Sequence, residues 1–241
     1  MKYRLGLYEK AMPLSLSFAE KFDEAKKAGF DYLELSVDET DEKLSRLDWT
    51  IEDIKIVRRS SEDAGIPILS ICLSGHRRFP LGDDDPVVRE RSLEIMRKAC
   101  ELALSIGVQV IQIAGYDVYY KSSTETTKAF FMENLARSVE YAAGTGVVLA
   151  FETMETPFMN TVQKAMDWIK KINSPWLKVY PDLGNITNAA KSEGGDVMQD
   201  LETGRGNIAA LHLKESKPNV FREVPYGTGH VDFASACRMG R

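Results

Sequence analysis

Cysteine is scarce in this chain: Cys72, Cys100 and Cys237 are odd in number, widely spaced and without a CxxC pair. A disulfide framework or a structural zinc site would need more, so buried thiols in a reducing cytosol are expected. No apolar run approaches the roughly 20 residues that span a bilayer. The opening MKYRLGLYEK lacks the apolar stretch and small-residue cleavage site of a signal peptide, so the protein is expected to be cytoplasmic. Positive charge is not in excess. With 31 Lys+Arg against 36 Asp+Glu the formal net charge is −5, which leaves no electrostatic footprint for a nucleic-acid backbone or an anionic membrane. What is present is an ordinary globular profile, 241 residues with 44% hydrophobic and 28% charged. One domain covering 1–241 is expected, because α/β barrels fill that length as a single unit.

A repeated order of elements runs through the chain. Helical spacing from Phe18 to Lys27 is followed by the alternating strand Tyr32 to Val37, and helical spacing from Ile51 to Ala64 stops at Gly65 before the apolar run Pro67 to Leu73. A long helix from Pro86 to Ile106 stops at Gly107 before Val108 to Ala114, and Gly144 and Gly146 precede Val147 to Phe151. Trp176 to Tyr180 and Ile208 to Leu211 continue the series, and Tyr3 to Tyr8 opens it. Alternating β and α with short apolar strands predicts a parallel sheet covered by helices. Seven repeats, with no GxGxxG after any strand, predict an α/β fold of the TIM (β/α)8 type rather than two Rossmann halves. After the seventh strand only Lys214 to Arg241 remains, with a helix expected over Asp232 to Met239. The expectation is therefore a barrel lacking its last βα unit in this chain, with open edges that favour a homo-oligomer, a dimer.

Barrel chemistry sits at the C-terminal ends of strands. The fifth strand runs into Glu152, the sixth into Asp182 and the seventh into His212. Each alone could be a helix cap or a hydrogen-bonded side chain. Together, two carboxylates and an imidazole on neighbouring strands form a mixed oxygen and nitrogen donor set for one divalent ion, Zn2+ or Mn2+ first, Co2+ or Mg2+ next. The segment CLSGHRRFPLG after the third strand brings His76, Arg77 and Arg78 to the same rim, and Lys214 and Arg222 flank His212. Guanidinium forks suit phosphate, though Arg77 and Arg78 fit a solvated loop equally well.

Longer motifs then meet a known family. GLYEKA from Gly6, LSVDETD from Leu35 with RLDW from Arg46, HRRFPLG from His76, LEIMRKA from Leu93 and AGYDVYY from Ala114 resemble the L-ribulose-5-phosphate 3-epimerases, also called L-xylulose-5-phosphate 3-epimerases. The resemblance extends to about Phe233. It implies a xylose-isomerase-like TIM barrel, with the family's metal-binding glutamate, aspartate and histidine falling on Glu152, Asp182 and His212. It further implies that Glu155, Lys214 and Arg222 contact sugar or phosphate. His76 and Arg77 join them as substrate-binding candidates, and a small sugar phosphate is the expected partner.

The resemblance also implies a reaction, inversion at C3 of a ketopentose phosphate through an enediolate, with Glu152 as the catalytic carboxylate on one face. The family's second glutamate belongs to an eighth strand, which the similarity here does not reach, so this exact chain is expected to be impaired. An aldose–ketose isomerase of the hexulose-6-phosphate type and a non-catalytic sugar-phosphate binder are the alternatives. A DNA-repair endonuclease of the same superfamily would need a histidine-rich zinc cluster, and only His76, His212 and His230 exist.

Overall fold

The structure, a computed structural model, describes residues 3–239. Strand and helix alternate as β1 Gly6–Tyr8, α1 Phe18–Lys27, β2 Tyr32–Val37, α2 Asp41–Leu44, α3 Ile51–Ala64, β3 Ile68–Leu73, α4 Pro86–Ile106, β4 Val110–Ala114 and α5 Glu125–Thr145. There follow β5 Val148–Glu152, α6 Val162–Ile172, β6 Leu177–Tyr180, α7 Leu183–Glu193, α8 Val197–Thr203 and α9 Phe233–Met239. Local chemistry explains the boundaries. Ser17 and Thr50 close capping boxes with Glu20 and Asp53 at the starts of α1 and α3. Gly65 ends α3 at φ 70°, a left-handed conformation that costs a side-chain-bearing residue energy.

The six strands form one parallel sheet in sequence order, β1 to β6. Side chains alternate across it. On one face, Leu33, Leu35, Val37, Ile71, Leu73, Ile111, Ile113, Leu149, Phe151 and Val179 join Phe22, Met96 and Phe131 of the helices in a single apolar core. Burying each of these side chains contributes roughly 1.5–3 kcal/mol. The other face is polar, with Glu34, Ser36, Ser70, Gln112 and Asp182 all buried. Tyr180 Oη reaches Glu34 Oε2 at 3.3 Å, linking β6 to β2, which are not neighbours in the sheet. The sheet therefore curls until its polar face meets itself, as a barrel requires. This is the α/β TIM barrel that the repeated elements predict.

The seventh expected strand needs correction. Ile208 to Leu211 does not form a continuous ladder; the backbone meets β6 and its extension at two isolated parallel bridges, Val179↔Ile208 and Asp182↔His212. The physical cause is exposure, since Ala209 is exposed and its neighbours are only half-buried, so no unbroken apolar row holds the segment down. The two bridges nonetheless carry His212 alongside Asp182. Tyr8 of β1 meets the His212 ring edge-on at 6.4 Å between centroids, bringing the first strand to the seventh position.

Candidate metal centre

Three backbone arrangements converge at the C-terminal end of the sheet. Glu152 is the last residue of β5, in register with Tyr180 of β6. Asp182 is the N-cap of α7, accepting the Asn185 N–H at 2.8 Å on Oδ1, while its own N–H donates to Thr153 Oγ1 at 2.9 Å. His212 is fixed from both sides: its N–H donates to Pro181 O at 2.8 Å and its carbonyl accepts from Leu183 at 3.0 Å. Donor atoms of Glu152, Asp182 and His212 consequently lie within 4.8 Å of one another. Gly184 makes the approach of the seventh segment possible, because a Cβ there would sit 2.9 Å from the Lys214 carbonyl oxygen.

The centre is acid-rich. His212 Nδ1 is 2.7 Å from Glu152 Oε1 and 3.4 Å from Asp182 Oδ2. Burial alone would lower the imidazole, but the hydrogen bond and charge of Glu152, then Asp182 and Glu34, outweigh it and push it up to about 9. Burial alone would likewise raise Glu152, yet the His212 hydrogen bond and the His212, Lys214 and Arg77 charges hold it below the usual carboxylate range. Asp182 goes the other way, raised by burial and by the Glu152 charge against the pull of His212 and Lys214. Lys214 Nζ is 2.9 Å from Asp182 Oδ2 and donates to Asn185 Oδ1 at 2.7 Å. Asp182 Oδ2 is buried, and its partners among the described residues are the ion-paired Lys214 and His212.

That arrangement fits a divalent cation. Two carboxylates and an imidazole are the donors such ions take, and Asp182 Oδ2, buried inside the triad and held only by its ion pairs with Lys214 and His212, is a ligand atom such an ion would take. In the metal-free protein a proton on His212 supplies the missing positive charge, so an entering ion would displace that proton.

The remaining sequence candidates divide. Glu155 and Arg222 meet at 2.8 Å, with Tyr119 Oη 3.3 Å from each. Arg77 lies over the Tyr119 ring, 4.7 Å from its centroid, and its charge reaches Glu152. Arg78 turns outward to Asp41 at 2.7 Å. His76 is not brought to the centre: it is buried, its Nε2–H donates to Ser92 O of α4 at 3.0 Å, and burial lowers it to about 4. Tyr116, Tyr119, Asn185 and Thr153 were missed as site residues. A signal existed for Tyr116, Tyr119 and Asn185, since AGYDVYY and YPDLGN both follow strand ends.

Comparisons agree with this architecture. The model of the xylose isomerase-like TIM barrel family matches residues 22–239. The L-ribulose-5-phosphate 3-epimerases UlaE of Escherichia coli O157:H7 and Shigella sonnei are 47% identical over 229 residues, covering 95% of this chain and 79% of theirs. Among solved structures, a D-tagatose 3-epimerase-like protein superposes with a TM-score of 0.80 at 17% identity, over 99% of this chain and 87% of that one. A D-psicose 3-epimerase of Clostridium cellulolyticum H10, solved with D-tagatose, gives 0.79 at 18%, over 99% and 82%. At such identities the structural likeness speaks for the fold. The chain belongs to the xylose isomerase-like TIM barrel family and, within it, to the family of the L-ribulose-5-phosphate 3-epimerases.

Proposed function

We propose that this protein inverts C3 of a ketopentose phosphate, interconverting L-ribulose 5-phosphate and L-xylulose 5-phosphate with the help of one divalent ion, Zn2+ or Mn2+. The observation that carries the chemistry is the convergence of Glu152, Asp182 and His212 at adjoining strand ends within 4.8 Å. The substrate follows from the relatives at 47% identity, which are named for L-ribulose 5-phosphate.

The C3–H beside a C2 carbonyl is a weak acid, so its removal needs a base already ionised at neutral pH and stabilisation of the negative charge that develops on oxygen. Glu152 meets the first requirement, because His212 and the nearby cations hold it ionised. His212 occupies Oε1, and Oε2 accepts no hydrogen bond from the described residues, which leaves that oxygen to take the C3 proton on one face; inversion is completed by a proton delivered to the opposite face by a second acid, the role that the family resemblance gives to its second glutamate. A divalent ion held by Glu152, Asp182 and His212 would supply the charge stabilisation for the C2 and C3 oxygens. Asp182 is kept rigid by Asn185 and Thr153, and Lys214 adds a fixed cation beside it. Arg77, Glu155, Lys214 and Arg222 ring this point as the sugar-phosphate contacts.

The decisive assay is solvent exchange. With Zn2+ or Mn2+ supplied, L-ribulose 5-phosphate in deuterated water should gain deuterium at C3, read by mass spectrometry, and Glu152→Gln should slow that exchange about 10^3-fold. Exchange at C1 instead would mark an aldose–ketose isomerase, and no exchange, or exchange indifferent to Glu152→Gln, would remove the proposal.

A further inference from the structure

One permanently positive side chain reaches into the acid-rich centre. Among the described residues, Lys214 is the one lysine or arginine paired with a carboxylate of the triad, its Nζ 2.9 Å from Asp182 Oδ2. That oxygen is buried, and His212 Nδ1 approaches it at 3.4 Å. The companion oxygen, Oδ1, already accepts the Asn185 N–H at 2.8 Å. Oδ2 is therefore the Asp182 oxygen left for an ion, and Lys214 sits on it. Two cations sharing one carboxylate oxygen repel, more strongly inside a protein than in water.

The lysine has a second foothold. The same Nζ donates to Asn185 Oδ1 at 2.7 Å, and the Asn185 amide is pinned in turn, its Nδ2–H donating to Thr153 O at 2.8 Å. Gly184 leaves the stem its lane, because a Cβ there would sit 3.1 Å from Lys214 Cε. The Lys214 side chain is 24% exposed and that of Asp182 0%, so the ammonium can draw outward while the carboxylate stays. Residue chemistry points the same way. An ammonium is a point charge on a flexible stem, whereas a guanidinium grips with a rigid fork, as Arg46 grips both oxygens of Glu9.

We propose that Lys214 regulates ion occupancy of the centre: its ammonium holds Asp182 Oδ2 when no ion is bound and draws back onto Asn185 Oδ1 alone when an ion takes that oxygen. Lys214 thereby keeps the buried carboxylate paired beforehand and loosens the grip of the centre on its ion afterwards. This inference rests on the reading of Glu152, Asp182 and His212 as a metal centre.

Calorimetric titration with Mn2+ alone tests it without any turnover. Lys214→Met and Lys214→Gln, which both remove the charge, should bind Mn2+ about 10-fold more tightly than the wild type, and Lys214→Arg no more tightly. A double-mutant cycle tests the foothold. Asn185→Ala keeps the backbone N–H that Asp182 accepts, and it should weaken Mn2+ about 10-fold in the wild type by leaving the lysine only Asp182 to hold. In Lys214→Met the same substitution should cost less than about threefold, whereas a merely supporting Asn185 would cost the same in both backgrounds. Neutral variants that bind Mn2+ no better than the wild type, or an equal cost of Asn185→Ala in the two backgrounds, overturn the inference and leave the metal centre standing. A wild type that binds no Mn2+, or that binds it equally well as Asp182→Asn, overturns both.

Discussion

Glu9, buried just past β1, and Glu152, the half-buried last residue of β5, are carboxylates at strand ends of one barrel, both set among cations, and they are built for opposite purposes. Glu9 is saturated. Lys21 approaches Oε1 at 2.6 Å, Lys43 at 3.2 Å and Arg46 grips both oxygens, while the Ser36 N–H donates to Oε2 at 3.0 Å. Burial alone would raise it, but the Arg46 hydrogen bonds, then its charge, then Lys21 hold the carboxyl well below the usual range. Glu152 instead faces an imidazole that exchanges protons and, beyond it, an aspartate held by one lysine. Fixed cations close a site; a removable proton keeps one open to an ion.

That contrast can be broken most forcefully at Glu9. Glu9→Gln leaves three buried cations without their counter-charge and should cost about 3–5 kcal/mol in denaturant unfolding, more than Glu152→Gln costs. The reverse ranking would mean that the Glu9 cluster is not what holds β1 to α1 and α2.

His76 offers a third case, a buried titratable group with no counter-charge at all. Its folded value of about 4 lies below the ordinary 6.5, so the unfolded chain binds the proton first. Stability from this group is therefore complete above pH 6.5 and is lost as pH falls towards 4, by about 3 kcal/mol. Unfolding of the wild type at pH 7.5 and 4.5 should show this loss and His76→Gln should not; equal pH dependence in the two would refute it.

The smallest effect sharpens the open half of the comparison. Zn2+ or Mn2+ at about 100 times its dissociation constant should add about 2.7 kcal/mol of stability, and Asp182→Asn should abolish the gain. Raising the pH from 6 to 8 should tighten binding, because the ion displaces the His212 proton held up to about 9. Stabilisation that survives Asp182→Asn would point to binding elsewhere.

Legibility followed the range of the interactions involved. The helices α1, α3 and α4 coincide with their expected spans because caps and apolar spacing are local signals. Glu152, Asp182 and His212 were readable because strand ends recur at a period and barrels keep chemistry there. The seventh strand was over-read: apolar content suggested a ladder, but pairing depends on register with β6, which only two bridges satisfy. His76 looked like a rim residue because its neighbours in the sequence are, yet its ring is claimed by Ser92 on α4, sixteen positions on.

By itself, then, the sequence determined the alternating order of elements, the parallel barrel that such an order demands, and the three residues standing at successive strand ends. Only the tertiary structure decided which donors were already spent. Whether Glu9 is saturated by three cations, Asp182 Oδ2 paired with only one lysine or His76 held by a carbonyl depends on side chains that arrive from other elements, and hydrogen bonding saturates at distances no spacing along the chain encodes.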